Sequence, residues 1–350
     1  MNYPIRRWSE MSAKEKEKLL VRSEQDITNA MERVRRIVDD VREGGDKAVS
    51  RYTLELDKAE IAPGKFLVTP AEFAEAELSL PARLRDAIRF SVDAVRRFHE
   101  SQRPREMSLS EISPGVFAGE KASPIDSVGL YVPRGRGSFP SMLYMMAVPA
   151  SVAAVPRICV VTPPSRGDGK NPGGAVDPAC LYAAKLCGIT EVYRIGGAQA
   201  IAALAYGTES IEPAAKILGP GSMYVTAAKR LVSGIVDTGI PAGPSESAVL
   251  ADGSADPWKV TLDLLVEAEH GADSCTILVT DSPVLAHKVS SFMERLVPDL
   301  PEPRRSFVHA VFTGYGGLIL ADSMYQGADI VNPFSPEHLA IHTASPFHLL

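Results

Sequence analysis

Apolar positions recur at helical spacing through the first quarter of the chain, then give way near residue 127 to short apolar runs separated by helical stretches. Ile27, Met31, Val34, Ile37 and Val41 form one helical stripe, which Gly44-Gly45 ends and residues 46–56 restart. Ser12 is placed to cap a helix, with Glu15 at the capping-box position. Residues 70–80 are a short helix. Pro81 opens the next at its first position, with Leu84, Ile88, Val92 and Val95 on the apolar side up to about His99. Residues 1–125 therefore read as an N-terminal helical region that serves packing and dimerisation, part of it against the last domain, with no chemistry in it.

From there the chain alternates. Runs at 128–132, 158–162, 191–195, 248–250, 276–280 and 318–320 read as strands, and 177–186, 257–270 and 283–296 as helices between them. Short strands alternating with helices predict an α/β fold of doubly wound parallel sheets. The number of units predicts two such sheets, at 126–238 and 239–350. Residues 165–178, rich in Gly, Asp and Pro, form a surface connection.

Composition narrows the function classes. A net charge of -6 gives no basic field for nucleic acid or an anionic membrane surface. The longest apolar stretch, 142–155, is short and broken by Pro149, so no membrane span is expected, and residues 1–20 lack a secretory apolar core. Cys159, Cys180, Cys187 and Cys275 show no Cys-x-x-Cys spacing and read as reduced core residues of a cytoplasmic protein.

Candidate chemistry gathers at two acidic-histidine pairs. Glu267 and His270 stand three apart at a helix end and share a face; Glu269 points elsewhere. The spacing suits a metal site and equally a solvated helix end. Glu337 and His338 follow Ser335-Pro336 ahead of an alternating strand entry. Histidine beside carboxylate supplies a general base near neutral pH, but adjacent extended residues face opposite ways, so the two flank a substrate only if the turn rotates them together. The Gly-x-Gly-x-x-Gly fingerprint is absent, Pro140 standing at its third glycine. Gly196-Gly197-Ala198-Gln199 and Gly219-Pro220-Gly221-Ser222 are strand-to-helix turns that read either as phosphate cradles or as tight turns. Both lie at the carboxyl ends of predicted strands, where open α/β sheets bind ligands. Ser245 lies in the Pro- and Gly-rich stretch 241–246 and can position a polar substrate, although the bland reading is a turn.

Taken together and in order, these motifs resemble the histidinol dehydrogenase family. The segments that carry the resemblance are Asp40-Val-Arg-Glu-Gly-Gly-Asp46, Gly129-Leu-Tyr-Val-Pro133, Gly196-Gly-Ala-Gln-Ala200, Gly219-Pro-Gly221 with Ala228-Lys-Arg230, Pro241-Ala-Gly-Pro-Ser-Glu246, Ala268-Glu-His-Gly271 and Pro336-Glu-His338. The resemblance implies a homodimer with two Rossmann-like domains and zinc at the active site. It implies two successive NAD-dependent oxidations, from L-histidinol through the aldehyde to L-histidine. On that pattern His338 is the general base and Glu337 activates the water that attacks the aldehyde. Tyr131, Gln199 and Ser222 fall on NAD positions. Ser245, Glu267, His270 and His338 fall on substrate positions, and Glu267 and His270 on zinc-ligand positions.

The match departs from the family pattern in four places. Glu267 stands where glutamine is usual and Ser222 where asparagine is usual, and Arg134 and Arg136 follow Pro133 where glycine is frequent. These three changes fit a paralogue acting on another primary alcohol, such as a sulfonated diol or an amino alcohol. The fourth is the ending: family chains continue past the position of Leu350, and the segment beyond carries two further zinc ligands and a glutamate given to the partner subunit. The resulting expectation is a chain lacking that segment, with a catalytically silent dimerising or nucleotide-binding chain as the non-enzyme reading.

Overall fold

The computed structural model describes residues 3–20, 28–134, 137–167, 173–240 and 244–349. The chain divides into two compact units, one of residues 26–242 and one joining 1–25 to 243–350. The segment up to residue 125 is thus shared between the two.

In the first unit four strands run parallel, in the order Glu191–Tyr193, Arg157–Val161, Ser127–Tyr131, Lys216–Leu218. Helices cover both faces, which is why the strands read as unbroken apolar runs rather than alternating ones. One face packs Thr28–Tyr52, Gly197–Tyr206 and Met223–Val232 around Val34, Val41, Ile201 and Leu204. The other packs Pro70–Ser79, Ala82–Gln102, Pro140–Val152 and Pro178–Leu186 around Ile88, Leu130 and Leu143. The sheet order places the first strand beside the fourth. The two chains of connection leave that junction in opposite directions and open a crevice at the carboxyl ends of the strands.

The second unit repeats that order without any repeat in sequence. Gly317–Leu320, Cys275–Thr280, Glu246–Ala251 and His338–His342 lie parallel, and Ile5–Arg7 adds a fifth strand beside Gly317–Leu320. That added strand carries two arginines, and Arg7 pairs with Asp322 at 3.1 Å. Charged positions suit a sheet edge but hide the strand from an apolar pattern. The three residues of Lys216–Leu218 escape notice because they are too few to show a period, and the exposed hairpin Met107–Ser113 with Val116–Lys121 lies in a stretch with no assigned element.

Local expectations hold where their chemistry is local. Ser12 and Glu15 form the reciprocal cap, with the Ser12 N–H donating to Glu15 Oε2 at 2.8 Å. The helix Thr28–Tyr52 is broken at Gly45, whose φ of 52° is left-handed. Pro81 differs from expectation by one position. It stands outside the helix, which begins at Ala82, with an extended ψ of 141°. Ile27 lies outside the described residues.

Candidate active site

The second unit gathers its chemical side chains at the amino ends of its strands, opposite to where open α/β sheets ordinarily bind ligands. Helix Pro257–Ala268 follows strand Glu246–Ala251 and runs back against it, so its last turn returns to the strand's starting end. His338 pairs in register with Ser247. That register sets the start of strand His338–His342 beside Ser245 and under the helix end. Ser335 takes a left-handed conformation (φ 46°, ψ 59°), a sharp turn that redirects the chain before Pro336.

Glu267 is at the centre. It is 6 % exposed, whereas the side chains around it are open to solvent. Its Oε1 lies 3.0 Å from His270 Nδ1 and its Oε2 lies 3.6 Å from His338 Nδ1. Ser245 Oγ is 3.0 Å from the same nitrogen of His270. Glu337 Oε2 is 3.9 Å from His338 Nδ1. The turn therefore does rotate Glu337 and His338 together. Burial pushes the Glu267 carboxyl up, but His270, Ser245 and His338 outweigh it and hold it below the ordinary carboxylate range. Contact with Glu267 in turn raises the His270 imidazole above its usual value, against the effect of burial. The negative end of the helix dipole also favours a cation at this point. Glu269 turns away from the cluster, as expected, and accepts from Arg304 at 3.0 Å.

Nδ1 of His338 faces the carboxylates of Glu267 and Glu337, so Nε2 is the ring nitrogen turned away from them. Glu267 Oε1 is buried without a well-aligned hydrogen bond, although His270 Nδ1 stands 3.0 Å away. An anionic oxygen and an imidazole nitrogen brought together in this way are donors of the kind that borderline metals take. Among the described residues no group of three or more such side chains is arranged to hold a metal.

The first unit carries a cavity of about 700 Å³ at the carboxyl ends of its strands, lined among others by Tyr131, Arg134, Arg166, Gly197 and Ser222. Tyr131 ends the first strand and its hydroxyl accepts from the Gly197 N–H at 3.1 Å. Ser222 stands at the N-cap position of helix Met223–Val232, where its side chain makes no capping bond. Gln199 does not reach the cavity wall. It is fully buried, and its Nε2 donates to Asp57 Oδ2 at 3.1 Å. Asp57 lines the cavity itself. Asp57 thus puts a functional candidate in the N-terminal region, where the sequence predicts only packing helices. Its signal, an aspartate ending Leu-Glu-Leu-Asp57, has no pattern to mark it. Arg134 donates to the Ala175 carbonyl at 2.7 Å, and Arg136 lies outside the described residues.

A family model described as histidinol dehydrogenase matches residues 20–350. A histidinol dehydrogenase homolog of Rhizobium meliloti (strain 1021) is 47 % identical over 97 % of this chain and 74 % of its own length. The histidinol dehydrogenase of Synechocystis sp. is 45 % identical over 99 % of this chain and 78 % of its own. Among solved structures, histidinol dehydrogenase from Elizabethkingia anophelis superposes with a TM-score of 0.85 at 34 % identity, covering 97 % of this chain and 75 % of that one.

Proposed function

The chain belongs to the histidinol dehydrogenase family, and from that premise we propose that it oxidises L-histidinol to L-histidine in two NAD-dependent steps, within histidine biosynthesis. The observation that carries this reading is the His338 imidazole standing 3.6 Å from the Glu267 carboxylate and 3.9 Å from that of Glu337. In the first step His338 Nε2 takes the alcohol proton as the carbinol C–H bond breaks and its hydride leaves, giving the aldehyde. In the second, Glu337 draws a proton from water as the oxygen attacks the aldehyde carbon. His338 then takes a proton from the hydrate as a second hydride leaves, giving the carboxylate. Each step passes one hydride, two electrons with a proton, to NAD and one further proton through the base to solvent, and ionisation of the acid product releases one more proton. When bound, NAD supplies the two-electron acceptor and zinc a Lewis acid that holds nitrogen and oxygen groups of the substrate. Glu267 and His270 would hold the zinc, with Ser245 placed beside His270 to meet the substrate. Tyr131 and Ser222 would contact the dinucleotide, with Gln199 acting from behind the wall.

The protein is expected to form two NADH per L-histidinol, and Glu337→Gln to slow aldehyde oxidation by about 100-fold while sparing alcohol oxidation. Single-turnover absorbance with histidinol and with the aldehyde measures both. No NADH from histidinol refutes the substrate, and equal loss in the two steps refutes the role of Glu337. Glu267→Ala is expected to weaken zinc binding by at least about tenfold, measured as metal retained after dialysis against a graded chelator, whereas Glu267→Gln keeps a donor at the position. Unchanged retention in the alanine variant removes Glu267 from the metal site.

A second reading has one specific support. Glu267 places an anionic group at the substrate position where the family usually has a neutral amide. A carboxylate there favours a more cationic partner and alters metal charge balance. A paralogue that oxidises another primary alcohol would turn it over in preference to histidinol, and the added carboxylate suits a cationic amino alcohol and opposes an anionic sulfonated diol.

The protein would act as a homodimer. The hairpin at 107–121 exposes Leu109, Ile112 and Phe117, apolar side chains that a second copy would cover. All four cysteines are buried and free, which suits a reducing cytoplasm. Among the described residues no helix is long and apolar enough to cross a membrane.

A further inference from the structure

We propose that Asp57 recognises the adenosine ribose of the dinucleotide, accepting a hydrogen bond from its 2′-hydroxyl, and so selects NAD over the 2′-phosphorylated form. The inference rests on the dehydrogenase reading above and adds a specificity residue to it. Three observations lead there. Asp57 ends the short helical turn Thr53–Asp57 and lines the same cavity as Tyr131 and Ser222. Gln199, buried behind the wall, fixes one carboxylate oxygen through its 3.1 Å hydrogen bond to Oδ2, while Oδ1 carries no hydrogen bond among the described residues. The turn is pinned from the other side, where the Gly167 N–H donates to the Lys58 carbonyl at 2.8 Å beside Arg166. A carboxylate held in this way is a preorganised acceptor rather than a mobile surface charge.

The charges of the cavity divide the work. Arg134 and Arg166 line it with Asp57, and guanidinium groups suit phosphate oxygens. A carboxylate repels phosphate and suits hydroxyl donors. In nucleotide-binding α/β sheets an acidic side chain near the strand ends reads the ribose 2′-hydroxyl, and a 2′-phosphate at that point meets like charge. Burial pushes the Asp57 carboxyl up to about 6, with Arg166 and then Gln199 drawing it back, so the group is ionised at pH 8. Asp177 also lines the cavity, and its side chain is already committed to the N–H groups of Ala179 and Cys180 at the start of its helix.

The test is calorimetric binding at pH 8 of NAD, NADP and the 2′-deoxyadenosine analogue of NAD to the wild type and Asp57→Asn. The wild type is expected to prefer NAD to NADP. Asp57→Asn should weaken NAD by about tenfold, the loss typical of a hydrogen bond to a charged acceptor, and narrow the preference because NADP loses nothing. The deoxy analogue should bind the wild type about as weakly as NAD binds the variant, a comparison that needs no folded variant. Equal losses for NAD and NADP, or a deoxy analogue that binds the wild type as tightly as NAD, overturn the assignment. A wild type that binds neither dinucleotide overturns the dehydrogenase reading, and this inference with it.

Discussion

His338→Ala is expected to slow both oxidations by about 10²- to 10⁴-fold, because in the proposed mechanism His338 is the base that removes a proton as hydride departs in each step. The structure explains why the loss should fall on chemistry rather than folding. The His338 side chain is 63 % exposed, so its removal opens no cavity. Its strand keeps the backbone pairing of His338 with Ser247 whatever the side chain. Single-turnover NADH formation from histidinol, and separately from the aldehyde, gives the two rates. Retention of either at the wild-type rate removes His338 from that step. A loss accompanied by a lower urea midpoint assigns the residue to the fold instead.

Gly219→Ala is expected to destabilise the first unit by about 3 kcal/mol, from two causes that add. Gly219 has a φ of +113°, which side-chain-bearing residues rarely adopt, and a β-carbon there would overlap the carbonyl oxygen of Tyr131. The backbone must move, and what it holds moves with it. Lys229 Nζ donates to the Gly219 carbonyl at 2.6 Å, and burial has drawn that ammonium down to about 8, so a displaced carbonyl strands a poorly solvated charge. Urea unfolding with an unchanged slope would show the drop in midpoint. A variant within about 0.5 kcal/mol of wild type would mean that the turn relaxes freely, and that its glycine is not required by the close approach to Tyr131.

The strands at Ser127–Tyr131, Arg157–Val161 and Cys275–Thr280 were legible because burial on both faces leaves an unbroken apolar run. The Ser12–Glu15 cap and the Gly45 break were legible because their causes lie within a few residues. The candidate site residues were named as a set through the resemblance to a family, and the three-residue spacing does bring Glu267 and His270 together, although the helix ends at Ala268 and His270 lies just beyond it rather than inside it as expected. That His338 shares a carboxylate with His270 was not legible, since the strand register and the reversed helix that join them involve partners about 70 residues apart.

Asp57 shows the same limit more sharply. Nothing near it in sequence marks it, and the amide that fixes its carboxylate belongs to Gln199, 142 residues away in the chain. By itself the sequence determined the alternation of elements, the breaks between them and the family, because periodicity and local turn chemistry are written within a few residues of where they act. Only the tertiary structure decided which strand ends meet and which side chains share a cavity, because pairing and burial depend on partners that chain order does not specify.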